Sequence, residues 1–94
     1  MKDFILIAEI KSTFDSGGYV TIESFSDFPS RFFRLVKVYV TIFGGTRELF
    51  VEDVKCVLDR FVMKFKNFNS SENVAPLIGT KLFVSEKDLL FNKL

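Results

Sequence analysis

Residues 34–43 read Arg-Leu-Val-Lys-Val-Tyr-Val-Thr-Ile-Phe, and Gly44 and Gly45 follow directly. Apolar and polar side chains alternate in this stretch, with Val36, Val38, Val40 and Ile42 on one face and Lys37, Tyr39 and Thr41 on the other. A period of two predicts a strand with one buried face. Because paired glycines after a strand are typical of a tight turn, we expect a hairpin at Gly44-Gly45.

The same alternation recurs on both sides of this segment. It predicts further strands at Phe4 to Thr13, Tyr19 to Glu23, Arg47 towards Leu58, Phe61 to Phe65, and Thr80 to Val84. Asp15 to Gly18 would connect the first two strands, and Asp59-Arg60 would form a later turn. The alternation slips near Glu52-Asp53, which predicts a β-bulge.

Two short segments lack the strand pattern. Asp27 stands two residues before Pro29, which indicates a capped helical turn over residues 27–33. Ser70 or Ser71 can cap a second short helix that ends before Gly79. Pro76 limits that helix to two turns.

Six strands with short connections predict an all-β fold. Closing them into a small six-stranded antiparallel β-barrel removes the exposed edges that an open sheet would keep. A length of 94 residues fits a single domain spanning residues 1–94. The apolar residues of the tail, Leu89, Leu90, Phe91 and Leu94, would either pack on the barrel or lead into a neighbouring domain.

The composition argues against catalysis. At 48% hydrophobic and 27% charged residues the chain is an ordinary folded domain, and it has no His, the usual general base and metal ligand. Cys56 is the single cysteine, which excludes an intrachain disulfide, and its position in a strand favours a core role. The chain also lacks the phosphate-binding GxGxxG and GKS patterns. We expect a protein that is not an enzyme and that uses no metal or cofactor.

Charge is uneven along the chain, although the overall net charge is only +1. Residues 1–30 carry −3, and residues 31–66 carry +4. Arg31, Arg34 and Lys37 are therefore candidate partner-binding residues for phosphate or an acidic protein face. A solvated surface of mixed sign remains the alternative. No apolar run approaches bilayer length and no secretion signal is recognisable, so we expect a cytoplasmic protein without a membrane contact.

Two blocks of residues carry a family resemblance. The first is Ser26-Asp27-Phe28-Pro29 with Arg31 and Phe32, and the second comprises Lys64, Phe65, Leu77, Gly79, Leu82, Phe83 and Val84. The residues, order and spacing of the two blocks resemble those of the N-terminal domain of the bacterial ribosome maturation factor family RimM. The resemblance implies a barrel like the second domain of elongation factor Tu.

By the same resemblance, the function would be non-catalytic. A domain of this kind would bind the immature small ribosomal subunit, contact a ribosomal protein of the subunit head with nearby RNA, and assist maturation of 16S ribosomal RNA. The resemblance implies a monomer without a small-molecule substrate. The family's second, PRC-type barrel does not occur within these 94 residues.

The first hairpin departs from the family pattern. The family usually reads Gly-x-His-Gly-x-x-Gly-Glu there, and this chain has Ser12, Phe14, Asp15, Gly18 and Tyr19 at the matching positions. Only the last glycine is kept. The resemblance therefore gives no expectation for the role of the first hairpin in this chain.

Asp27, Phe28 and Pro29 also have an explanation that needs no family. Asp27 can cap the turn, Pro29 fixes its φ angle, and Phe28 with Phe32 would plug one end of the barrel. We therefore expect these three residues to be structural. Two other functions fit such a barrel: a protein–protein adaptor unrelated to ribosomes, and a flavin-reductase-type barrel.

Overall fold

The computed structural model describes residues 4–27 and 29–86, and it confirms the closed antiparallel barrel. The strands are β1 (Phe4–Thr13), β2 (Val20–Ser24), β3 (Lys37–Ile42), β4 (Gly45–Val57), β5 (Arg60–Phe65) and β6 (Lys81–Ser85). Around the barrel they follow the order β1-β2-β5-β4-β3-β6. Helix in the described part is limited to a 3-10 helix, η1 (Pro29–Arg34), one α-helical turn, α1 (Ser71–Val74), and a second 3-10 turn, η2 (Ala75–Leu77).

The loop between β1 and β2 is fixed by hydrogen bonds within the loop and by packing against a later segment of the chain. The Asp15 carboxylate accepts hydrogen bonds from the backbone N–H groups of Gly17 at 2.9 Å and Tyr19 at 3.3 Å. Gly18 has a φ of 103°, and a Cβ there would lie 2.1 Å from the carbonyl oxygen of Phe68. The loop therefore packs directly on the backbone that follows β5, and only glycine fits at this contact.

The β3–β4 hairpin is confirmed, with its turn one residue earlier than the glycine pair suggests. Ile42 and Gly45 are paired, so the two turn residues are Phe43 and Gly44. Both have positive φ angles, 51° and 76°. This is the signature of a type I′ turn, whose twist matches that of the flanking strands.

The start of β3 differs from the expectation. Val38 and Val40 are fully buried as predicted, but Val36 is 58% exposed. The chain leaves η1 at Arg34 and joins the sheet only at Lys37, so Val36 precedes the pleat that would turn it inward. The expectation that Val36 belongs to the core was therefore wrong.

A β-bulge in β4 is confirmed at the predicted place. The register with β5 shifts between Val51 and Asp53, where β4 changes from pairing with β3 to pairing with β5. Bulges bend a strand and increase its twist, which a small barrel needs. The following turn centres on Leu58 and Asp59, both with positive φ, rather than on Asp59-Arg60.

The segment before β6 confirms the predicted second helix. Of the two candidate caps, Ser70 accepts the hydrogen bond from the backbone N–H of Asn73, at 3.1 Å. Pro76 lies in the 3-10 turn that follows, and Gly79 leaves it with a φ of 88°. The chain then enters β6, which pairs with both β1 and β3 and so closes the barrel.

Apolar side chains from every strand fill the barrel interior. The buried members of this core are Ile7, Ala8, Ile10, Val20, Ile22, Phe32, Leu35, Val38, Val40, Leu49, Met63, Phe65, Val74, Leu77, Leu82 and Val84. Phe32 of η1 is fully buried and meets the Phe61 ring edge to face at 5.3 Å between centroids. This confirms Phe32 as a plug of the barrel.

Phe28 and the apolar tail residues 89–94 lie outside the described residues, so their expected packing stays a prediction. Within residues 4–27 and 29–86, no helix is long and apolar enough to cross a membrane. The same residues include no group of three or more cysteine and carboxylate side chains placed to hold a metal ion.

Gly18→Ala should destabilise the protein far more than Gly44→Ala. Both glycines have positive φ, which costs a β-carbon about 1–2 kcal/mol. Only Gly18 adds a backbone clash, because no atom lies within 4 Å of a Cβ built at Gly44. Urea unfolding of the two variants measures the difference, and equal losses would show that the loop contact with Phe68 can relax.

Candidate functional site

The candidate cations lie on one short stretch, in η1 and at the start of β3. Arg31 and Arg34 are three residues apart in a 3-10 helix, where residues at i and i+3 are eclipsed, so they share one side of η1. Arg34 is exposed and Arg31 is half-buried. Lys37 is the first residue of β3. The three predicted binding residues therefore lie on two consecutive elements, η1 and the start of β3.

Lys37 already has a partner within the barrel. Its ammonium lies 3.3 Å from a carboxylate oxygen of Glu48 and 5.8 Å from the centroid of the Tyr39 ring. The hydrogen bonds to Glu48 and Tyr39, with the Glu48 charge, raise the pKa of Lys37 above its usual value. A ligand of Lys37 must therefore compete with Glu48.

Exposed apolar side chains accompany these cations, and sequence reasoning missed them. Phe33 is 53% exposed, Val36 58% and Phe50 47%. Phe50 is the cross-strand partner of Lys37, and the backbone N–H of Val51 donates to the Val36 carbonyl at 2.8 Å. We call Arg31, Phe33, Arg34, Val36, Lys37 and Phe50 the η1 surface. The Phe32-Phe33 doublet was the available signal, because neighbouring residues of a 3-10 helix point in different directions.

A small pocket lies between η1 and the bulge of β4. It has a volume of about 160 Å³ and is lined by Phe33, Leu35, Val51, Glu52, Asp53 and Val54. Pockets for small-molecule ligands usually measure about 300–1,000 Å³. The size therefore suits one inserted side chain of a partner better than a metabolite.

Asp53 is one of the two carboxylates that line this pocket, and it is hydrogen-bonded to a residue of the hairpin formed by β1 and β2. The hydroxyl of Tyr19, the residue before β2, donates a hydrogen bond to Asp53, and the Lys55 ammonium lies 4.5 Å from the Tyr19 ring centroid. The Asp53 hydrogen bond, followed by burial and the charges of Asp53, Asp15 and Glu52, raises the pKa of Tyr19 to about 12. Tyr19 thus ties the divergent first hairpin to the bulge.

Glu52, the second carboxylate, is bound by Lys64. The Lys64 ammonium contacts Glu52 at 2.6 Å, the Asn69 side chain at 2.8 Å and the Phe65 carbonyl at 3.3 Å. The Lys64 side chain is only 12% exposed although it points to the outer face of the barrel. Lys64 therefore contributes to the structure rather than to a binding surface.

Cys56 is exposed, so the expectation of a core cysteine was wrong. It has the strand parity of Val54, which packs against the core, but it lies one residue before the end of β4. Asp27 is exposed at a bend and Pro29 begins η1. Those positions are compatible with a structural turn, and the roles of Asp27, Phe28 and Pro29 stay predictions.

Comparison with known proteins identifies relatives along nearly the whole chain. The family model described as the RimM N-terminal domain matches residues 5–89. A curated relative, the ribosome maturation factor RimM of Aquifex aeolicus (strain VF5), is 31% identical over 90 residues, which are 95% of this chain and 54% of the relative. The chain therefore spans about half the length of that curated relative.

Two solved structures share the fold. A putative 16S ribosomal RNA processing protein RimM from Pseudomonas aeruginosa has a TM-score of 0.82 at 18% identity, and the match covers 93% of this chain and 53% of that one. The N-terminal domain of RimM from Thermus thermophilus has a TM-score of 0.75 at 17% identity, and the match covers 92% of this chain and 93% of that one. These similarities confirm the predicted barrel type.

Phe32→Ala should lower the free energy of unfolding by about 3–5 kcal/mol, because it removes a fully buried ring. Phe33→Ala is the matched control, since Phe33 is exposed and has a tilted ring contact with Phe61 at 5.7 Å. The Phe33→Ala substitution should lower the free energy of unfolding by less than about 1.5 kcal/mol. Chemical denaturation tests both variants, and similar losses would contradict the assignment of Phe32, rather than Phe33, as a plug of the barrel.

Tyr19 should ionise only near pH 12, which ultraviolet titration can follow in a Tyr39→Phe background. An ordinary tyrosine ionises near pH 10, so Asp53→Asn should lower the Tyr19 pKa towards that value. The folded-state pKa is raised, so the contribution of Tyr19 to stability is complete below about pH 10 and is lost as the pH rises towards 12. Titration of Tyr19 near pH 10 in the presence of Asp53 would refute the hydrogen bond.

Proposed function

Because this chain belongs to the RimM family, as a counterpart of its N-terminal domain, we propose that it binds the immature small ribosomal subunit and assists processing of 16S ribosomal RNA. The observation that carries the proposal is the family match over residues 5–89. The role is that of an assembly factor. It acts by binding and leaves chemical steps to other proteins.

The η1 surface is the proposed contact with the subunit. Arg31, Arg34 and Lys37 suit phosphate oxygens or acidic side chains. Phe33 and Val36 add apolar area beside these charges, as at protein interfaces whose cores are apolar and whose rims are polar. This combination supports a junction of ribosomal protein and RNA as the target, which agrees with a head protein and nearby RNA.

The remaining parts of the proposal follow from the same family role. The domain acts as a monomer in the cytoplasm, where ribosomes are assembled, and it needs no cofactor. Residues 1–94 act as one barrel unit. A free 94-residue chain can therefore be tested directly against immature subunits.

Replacing Arg31, Arg34 and Lys37 together by Gln should abolish co-sedimentation with immature small subunits. The melting temperature should fall only modestly, because Arg34 is exposed and a surface ion pair such as Lys37–Glu48 contributes at most about 1 kcal/mol, so that half-buried Arg31 is the main source of any loss. Association of the parent should weaken steeply with salt if several phosphates are contacted.

The matched control replaces Arg47, Arg60 and Lys66 by Gln. These residues are exposed and lie outside the η1 surface, and the variant has the same net charge as the test variant. The control should still sediment with the subunit. Equal loss in both variants would show that net charge alone drives association, and retained binding by the test variant would reject the η1 surface as the contact.

A further inference from the structure

The outer face of β3 and β6 has an open pocket that is separate from the η1 surface. Val40 and Leu82 point into the core, so the alternate residues Thr41, Lys81 and Phe83 point outward. The pocket measures about 330 Å³ and is lined by Thr41, Gly79, Thr80, Lys81 and Phe83. This volume lies within the range of sites that take small ligands.

Aromatic rings continue from this pocket across the outer face. Phe83 is paired with Tyr39 on β3, and the Tyr39 ring meets the Phe4 ring of β1 at 4.9 Å between centroids. All three residues are only half-buried. Three neighbouring strands therefore present a strip of ring surface to solvent.

A cation stands at the pocket end of this strip. Lys81 is exposed and lies on the same face as Phe83, two residues away, a separation of about 6–7 Å along a strand. Its cross-strand partner Glu9 is held by Lys11 at 3.4 Å. Within residues 4–27 and 29–86, Lys81 forms no ion pair, so its charge is open to a ligand.

We propose that this pocket binds one unstacked nucleotide of single-stranded RNA. The base stacks on the Phe83 ring and the adjoining phosphate meets the Lys81 ammonium. The Thr80 hydroxyl donates to the Leu77 carbonyl at 2.7 Å, so its oxygen is oriented to accept a hydrogen bond from the base or the ribose. The inference rests on the proposed ribosomal role, which brings the domain to RNA, and it names a second contact besides the η1 surface.

The chemistry of the pocket favours a single strand over other ligands. An aromatic platform beside a cation is the usual arrangement for single-stranded nucleic acid, because every base has a stacking face. A duplex hides its base faces and would use the lysine alone. An acidic peptide would likewise leave the Phe83 ring unused.

Fluorescence anisotropy with a labelled octaadenylate tests the site, and an abasic octamer with the same phosphates serves as the reference ligand. Phe83→Leu keeps an apolar side chain without the ring, and it should weaken octaadenylate binding about tenfold while leaving abasic binding unchanged. Lys81→Gln should reduce the slope of log affinity against log salt by about 0.7, the value for one phosphate on a single strand.

Phe14→Leu and Lys66→Gln are the matched controls. Phe14 is 44% exposed in the first hairpin loop and Lys66 is exposed after β5, and neither lines the pocket. Both variants should bind octaadenylate like the parent. Backbone resonances of residues 79–83 should shift when the parent is titrated with octaadenylate.

The result separates this inference from the proposed function. If Phe83→Leu and Lys81→Gln bind octaadenylate like the parent, or the shifts fall on residues 31–37 instead, the pocket is not a nucleotide site, although subunit association through η1 can still hold. If Phe83→Leu instead dissolves a dimer seen by sedimentation, the face is a contact between copies and the inference is wrong. If octaadenylate binds the pocket but subunits do not sediment with the parent, the site stands and the proposed function fails.

Discussion

Closure of the barrel depends on one five-residue strand. β6 pairs with β1 along its whole length and with β3 through the pair of Phe83 and Tyr39. Without it, β1 and β3 would be open edges with unpaired backbone groups, a liability in a sheet of this size. The register of β6 depends in turn on the short helices before it, where Ser70 caps α1 and the Gly79 N–H donates to the Ile10 carbonyl at 2.8 Å. A polar cap and a glycine thus help to position the strand that closes the barrel.

The β-bulges that allow the barrel to close also determine which side chains reach its outer face. A barrel of six short strands must bend sharply, and the register shifts in β1 and β4 supply the bend. In β4 the shift also turns Asp53 to the outer face, where the Tyr19 hydroxyl reaches it. Tyr19 occupies the position where the family pattern has Glu, beside the retained Gly18. Gly18 is needed for the approach to the Phe68 backbone, whereas Tyr19 provides a different link between the same hairpin and the sheet.

The sequence predicted the strands, the β4 bulge and the Ser70 cap, but it placed two turns one residue too late and did not show how deep each side chain lies. β1, β5 and the bulge follow directly from alternation. Val36 and Cys56 have the parity of core residues, yet both are exposed, because one precedes β3 and the other stands at the end of β4. Alternation reports the face of a residue and contains no information about where the strand leaves the core. The contact of Tyr19 with Asp53 joins positions 34 residues apart, so no local pattern could reveal it.

The sequence likewise does not show which charged side chains the fold pairs with one another. The net +4 of residues 31–66 suggests a basic patch, but the fold pairs two of its cations with carboxylates: Lys64 is bound by Glu52 and Asn69, and Lys37 contacts Glu48. Arg34 is exposed and follows the exposed Phe33 in η1. Since long-range attraction scales with net charge and is screened by salt within about 10 Å, the proposed contact through η1 gains little from steering and would derive its affinity from close fit. An overall charge of +1 is therefore unsuited to coating RNA and fits the proposal of a contact at one particular site.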